Sequence, residues 1–112
     1  MTKTVVITGA ARTPMGGFQG DFAAVPATEL GAAAIKGAIE NAGLQGDAIN
    51  EVLMGCVLPA GLGQAPARQA ALGAGLPQST PCTTVNNAWC SANNTVSTSH
   101  DQIVPVLQKQ TV

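Results

Sequence analysis

The residue best placed to do chemistry is Cys90, at the end of Pro81-Cys82-Thr83-Thr84-Val85-Asn86-Asn87-Ala88-Trp89-Cys90-Ser91-Ala92. That stretch reads as a short buried strand, a sharp turn and the start of a helix. A thiol at a helix N-terminus faces unpaired N–H groups and the positive end of the helix dipole, which favour the thiolate. A thiolate held on such an elbow suits covalent acyl transfer through a thioester. On residue types alone, a cysteine near a strand end is more often inert than catalytic. The sequence assigns it no base. His100, the single histidine, lies ten residues on, about 15 Å along a helix axis, and reads as a solvated surface side chain. Cys56 reads as a small buried hydrophobe. Arg12 directly follows an apolar run and reads as a structural ion-pair partner rather than a site residue.

Three strands and two helices must position that elbow. Val5-Val6-Ile7-Thr8 is a β-branched run ending at Gly9, expected to be a strand buried on both faces. Residues 26–42 form the clearest helix, with Pro26 at its start, Glu29 in the first turn and Gly43 just past its end. Leu30, Ala34, Ile35, Ala38, Ile39 and Ala42 share one apolar face, and Gly31 and Gly37 suggest close packing there. Residues 51–58 form a second apolar strand. Pro66 opens a helix running to about Ala74, and residues 82–86 form a third strand. The order β-α-β-α-β implies a parallel sheet covered by helices. In such sheets the reactive ground lies at the carboxyl ends of the strands, where Cys90 falls. Beyond residue 87 the composition changes. Asn93-Asn94-Thr95-Val96-Ser97-Thr98-Ser99 is poor helix material.

Composition narrows the function classes. The chain has 112 residues, enough for one small domain or part of a larger one. Charged residues make up 10% of it, against about 25% in typical globular chains, so much of the surface is expected to be covered by further protein. Net charge is −1 with five scattered Lys/Arg, which argues against nucleic-acid binding. No apolar run reaches the ~20 residues of a membrane span. Three cysteines, Cys56, Cys82 and Cys90, without a secretion-type start, lead to reduced thiols and a cytoplasmic expectation. With no Cys-x-x-Cys pair and one histidine, no metal site is expected.

The motifs carry more than the composition does. Ala10-Ala11-Arg12-Thr13-Pro14 with Gly16, then residues 26–31, then Gly55-Cys56-Val57-Leu58-Pro59-Ala60-Gly61-Leu62-Gly63-Gln64-Ala65-Pro66-Ala67-Arg68-Gln69-Ala70-Ala71 resemble the N-terminal part of a thiolase of the acetoacetyl-CoA type. The likeness runs from Lys3 to Asn86. It implies an α/β fold, layered α/β/α/β/α in the full family, of which this chain carries an incomplete N-terminal β-α-β-α-β portion. It also implies Claisen chemistry: two acetyl-CoA molecules give acetoacetyl-CoA and CoA, or the reverse thiolysis, through a cysteine acyl-enzyme. Coenzyme A thioesters are then substrates and no cofactor is needed. Homodimers or homotetramers are the family's assemblies. A longer-chain 3-ketoacyl-CoA thiolase would differ only in substrate.

Two departures qualify that implication. The family sets its nucleophile in Val-Asn-Lys-x-Cys-Gly-Ser-Gly/Ala-Met, where this chain has Val85-Asn86-Asn87-Ala88-Trp89-Cys90-Ser91-Ala92-Asn93. Aligned without gaps, Trp89 takes the cysteine position. With one insertion and one deletion, Cys90 is the nucleophile. Residues 1–86 are therefore expected to be an N-terminal thiolase-like portion, and 87–112 a divergent, truncated continuation of the same domain. A degraded gene copy or a shifted reading frame would give this pattern. The family's histidine base and second cysteine lie beyond it, so the 112-residue chain alone is expected to be inactive. A non-catalytic remnant that partners an intact thiolase is the alternative.

Overall fold

The computed structural model describes residues 4–87, 90–103 and 111–112. Helix α1 spans Ala27–Ala42. Pro26 caps it at φ −66°, ψ 150°, so the helix starts one residue later than the proline suggested. Gly43 ends it in the left-handed region at φ 70°, and Gly43 N–H and Leu44 N–H donate to the Glu40 and Ile39 carbonyls, a glycine-terminated C-cap. Ile35 and Ile39 point from this helix into a core completed by Ile49, Val52, Ala70, Ala71 and Leu76. A Cβ on Gly31 would stand 3.2 Å from Ala70 Cβ and from Met54 Cε. The glycine therefore lets α1 settle closely onto α2 (Pro66–Gly73).

Strands β1 (Val52–Gly55) and β2 (Cys82–Val85) pair in parallel, with Val52 opposite Cys82 and Gly55 opposite Val85. Helix α2 crosses between them, forming a β-α-β unit. Side chains alternate across a strand. Val52 and Met54 meet α1 and α2, while the other face, at Gly55, meets α3 (Ser91–Ile103). Helices thus cover both faces, as the continuous apolar strands required. Arg68 on α2 donates to the Thr80 and Gln78 carbonyls and fixes the turn that feeds β2.

The first expected strand does not join this sheet. Residues 5–8 make no ladder, and Val6 and Ile7 are 67% and 84% exposed. The β1 edge turned away from β2 is already occupied. Leu53 N–H donates to the Val112 carbonyl at 2.7 Å and Val112 N–H to the Glu51 carbonyl at 3.0 Å, while Thr111 bridges Glu51 in parallel. A run with strong strand propensity is left without a strand to pair with. The 51–58 run is also shorter than expected, since its pairing ends at Gly55 and Leu58 is exposed.

Two further expectations change. Arg12 is exposed, and its guanidinium donates to the adjacent Thr13 carbonyl. It makes no ion pair among the described residues, because the run it follows is not docked against a charged neighbour. The polar segment after residue 90 does form a helix. The Thr95 hydroxyl donates to the Ala92 carbonyl at 2.6 Å and the Ser99 hydroxyl to the Thr95 carbonyl at 2.7 Å. With Ser91 and Thr95 buried against the sheet, tertiary packing overrides weak propensity.

Candidate functional site

The elbow expected from the sequence is present. β2 ends at Val85, and α3 begins at Ser91. Cys90 sits immediately before α3, with its N–H donating to the Asn87 carbonyl and its own carbonyl accepting from Asn94 N–H, each at 2.8 Å. Its side chain is exposed and its thiol is free. The cysteine therefore stands at the helix start, over the carboxyl ends of the strands. Trp89, the rival occupant of the nucleophile position, lies outside the described residues.

Two residues that the sequence pattern passed over build this elbow. The buried Ser91 hydroxyl accepts from Asn87 N–H at 2.8 Å and donates to the Asn87 carbonyl at 3.0 Å, closing the turn around Cys90. Gly55 lets the helix start approach the sheet. A Cβ there would meet Ser91 Cβ at 2.8 Å, Ser91 C at 2.9 Å and Ala92 N at 3.0 Å. Both had a signal in the sequence: a serine four residues after an asparagine in the loop that follows a strand can form a side-chain-to-backbone turn, and a glycine closing an apolar strand marks a close approach. Asn86 Nδ2 donates to the Val57 carbonyl at 3.4 Å, tying the loops after the two strands together.

Between the start of α1, the end of β1 and the start of α2 is a small apolar recess of about 50 Å³, lined by Thr28, Met54, Gly55, Cys56, Pro66 and Ala67 among others. Cys56 is half-buried there, close to the role of small hydrophobe expected of it. Cys82 is also half-buried, and its thiol donates to the Thr80 carbonyl at 3.3 Å. The fold does not bring His100 to Cys90. His100 lies toward the other end of α3, exposed, with Nδ1 3.2 Å from Asp101 Oδ1. The surface reading of that histidine stands. Among the described residues, no group of three or more His, Cys, Asp or Glu gathers as a metal site would require. No helix among them is long and apolar enough to cross a membrane.

A parallel β-α-β unit covered by helices, with a cysteine at a helix start past its strand ends, places this chain in the α/β class, and comparison with known proteins narrows that class. Residues 5–108 match the model of the thiolase N-terminal domain. The chain belongs to the thiolase family. It is 58% identical over 92 residues to the mitochondrial acetyl-CoA acetyltransferase of Xenopus tropicalis, covering 82% of this chain and 22% of that protein. Against the mitochondrial acetyl-CoA acetyltransferase of Homo sapiens it is 57% identical over 89 residues, covering 80% and 21%. The chain thus spans about a fifth of the length of these curated relatives.

Solved structures agree. A thiolase from Ascaris suum, crystallised with coenzyme A, superposes at a TM-score of 0.84 with 35% identity, over 87% of this chain and 25% of that one. The acetyl-CoA acetyltransferase of Syntrophomonas wolfei gives 0.85 with 32% identity, over 89% and 25%. The thiolase-like α/β expectation is met, as a partial fold with a small parallel sheet. The cytoplasmic expectation is overturned, because the curated relatives are mitochondrial enzymes. Reduced, unpaired cysteines report on redox conditions, not on which membrane encloses the protein.

Proposed function

We propose that this chain carries the nucleophile-bearing N-terminal portion of an acetyl-CoA C-acetyltransferase, in the mitochondrial setting of its named relatives. The observation that carries the reading is the 58% identity over 92 residues to such enzymes. The elbow at Cys90 supports it. On this reading the Cys90 thiolate attacks the thioester carbonyl of acetyl-CoA, the CoA thiolate leaves, and an S-acetyl cysteine forms. The enolate of a second acetyl-CoA then attacks that acetyl carbon. The Cys90 thiolate departs, and acetoacetyl-CoA is released. On this reading the N–H groups at the start of α3 serve as donors to the developing oxyanion.

These 112 residues alone are inactive on this reading. Their one histidine is exposed and paired with Asp101 at a distance from Cys90 along α3, so it does not take or return protons at the thiol. The test is a chimera in which this chain is continued by the remainder of a mitochondrial acetyl-CoA acetyltransferase. Acetyl-CoA should leave an acetyl group on Cys90, seen by mass spectrometry, and Cys90→Ala should remove both the label and thiolysis of acetoacetyl-CoA. Acetylation elsewhere, or thiolysis by the isolated 112-residue protein, would refute the assignment.

A second reading is supported by the exposure of Met15, Phe18 and Leu58, at 90%, 96% and 83%. A surface this apolar fits a chain that docks on an intact thiolase without doing chemistry. Mixing the purified chain with a full-length acetyl-CoA acetyltransferase separates the readings: a stable complex with unaltered turnover favours docking.

A further inference from the structure

The loop between β1 and α2 is fastened at both ends to the segment that feeds Cys90. At its start, the Val57 carbonyl accepts from Asn86 Nδ2 at 3.4 Å. At its end, Ala67 N–H donates to the Thr84 hydroxyl at 3.1 Å. That second bond stands in for a missing cap. Ala65 at the helix start offers no side-chain acceptor and Pro66 has no N–H, so Ala67 carries the first free amide of α2. Strand β2 supplies its partner. Thr84 and Asn86 flank Val85, the last residue of β2, and Asn87 then closes the Cys90 turn with Ser91.

Between those ties the loop adopts a conformation that one of its residues does not favour. Ala65 lies in the left-handed region at φ 46°, ψ 70°, where the Cβ of an L-residue crowds the following carbonyl. Gly61 and Gly63, both at φ 79°, enter the same region without that penalty. One side chain offsets the strain. Gln69, on the first turn of α2, turns its amide back into the loop, and Nε2 donates to the Leu62 carbonyl at 2.6 Å and to the Gln64 carbonyl at 2.7 Å. Both partners are acceptors, so the amide nitrogen must face them. A Cβ on Gly63 would stand 3.2 Å from that nitrogen, so residues 62–64 wrap around it.

We propose that Gln69 is a positioning residue for the Cys90 elbow, acting through the loop rather than by touching the reacting atoms. Its amide holds Ala65 in the left-handed conformation. That conformation presents Ala67 N–H to Thr84, and the two end ties brace the chain that enters the elbow. The bracing follows from the hydrogen bonds alone. Its effect on turnover rests on the acyl-transfer reading given above.

Residue-resolved amide hydrogen exchange on the full chain tests the bracing. Gln69→Met keeps the length of the side chain and removes the donor, so a role in filling space would survive it. The Ala67 amide should exchange about tenfold faster and the Asn87 and Cys90 amides about threefold faster, while the Ile39 amide in α1 is unchanged. Adding Ala65→Gly removes the steric penalty and should return all three to within about twofold of the parent. Loss of protection at Ile39 would mean that Gln69→Met unfolds the chain, and Ala65→Gly alone then decides. With the clamp in place and the strain gone, its Ala67 amide should exchange about threefold more slowly. Unchanged Asn87 and Cys90 exchange in a folded Gln69→Met protein, no rescue by Ala65→Gly, or unchanged Ala67 exchange in Ala65→Gly alone would overturn the proposal. In the chimera described above, Gln69→Met should lower kcat about fivefold at nearly constant KM, and unaltered kcat would equally overturn it. A parent chimera without activity would instead refute the acyl-transfer reading, and the exchange result would still decide the role of Gln69.

Discussion

Two apolar runs of four residues, Val5-Val6-Ile7-Thr8 and Val52-Leu53-Met54-Gly55, meet opposite fates in this molecule. The second is the central strand, with Val52 and Leu53 buried. The first has the stronger local preference for a strand, yet it is unpaired and its Val6 and Ile7 face solvent. Propensity does not separate them. Partners do: β1 has β2 on one edge, Val112 on the other, and helices over both faces. A strand is defined by what pairs with it, and β-propensity mainly measures how well a side chain fits a half-buried, pleated surface.

The largest effect expected from this contrast is at Gly55. Gly55→Ala puts a Cβ against Ser91 Cβ and the backbone of Ser91 and Ala92, atoms that cannot swing aside. Overpacking at such a point costs about 2–3 kcal/mol, measured as a lower midpoint in urea unfolding. It should also loosen the Cys90 elbow, seen as faster exchange of the Asn87 amide. A variant as stable as the parent would show that α3 does not rest on β1 as described.

Val52→Ala comes next. The side chain is completely buried, and removing two methyl groups there should cost about 2 kcal/mol through lost burial and the cavity left behind. Ser91→Ala follows at about 1 kcal/mol, since it removes both hydrogen bonds that close the turn on Asn87. In the chimeric enzyme the same change should lower turnover more than it raises KM for acetyl-CoA, because the serine positions the nucleophile without touching substrate. Equal shifts in both constants would reduce Ser91 to a purely structural role.

The elements that could be read from the sequence are those whose signals are local. α1 was legible because Pro26 and Gly43 punctuate it and Ile35 and Ile39 recur at helical spacing. β2, α2 and the elbow were legible because a turn and Pro66 bound them, and the parallel pairing followed from the helix between the strands. The fate of residues 5–8 was not, because it depends on Val112, more than a hundred residues away in sequence. Helix α3 looked unfavourable because the hydroxyl-to-carbonyl bonds of Thr95 and Ser99 and the seat beside Gly55 are not visible in composition. At the site, Cys90 could be found by type and position. Ser91 and Gly55 act through contacts between different elements, and their spacing only hinted at them.

The smallest effect is also the sharpest test of the opening contrast. Ile7→Ser changes a residue whose type would place it in a core, while Ile7 itself is 84% exposed. If type decided the outcome, losing that side chain would cost several kcal/mol, as deleting a buried isoleucine does. If pairing decides it, the substitution falls among surface changes, within about 0.5 kcal/mol, and the urea midpoint should not move. A large loss of stability would mean that residues 5–8 already lie against the core in solution, and the difference between the two runs would vanish.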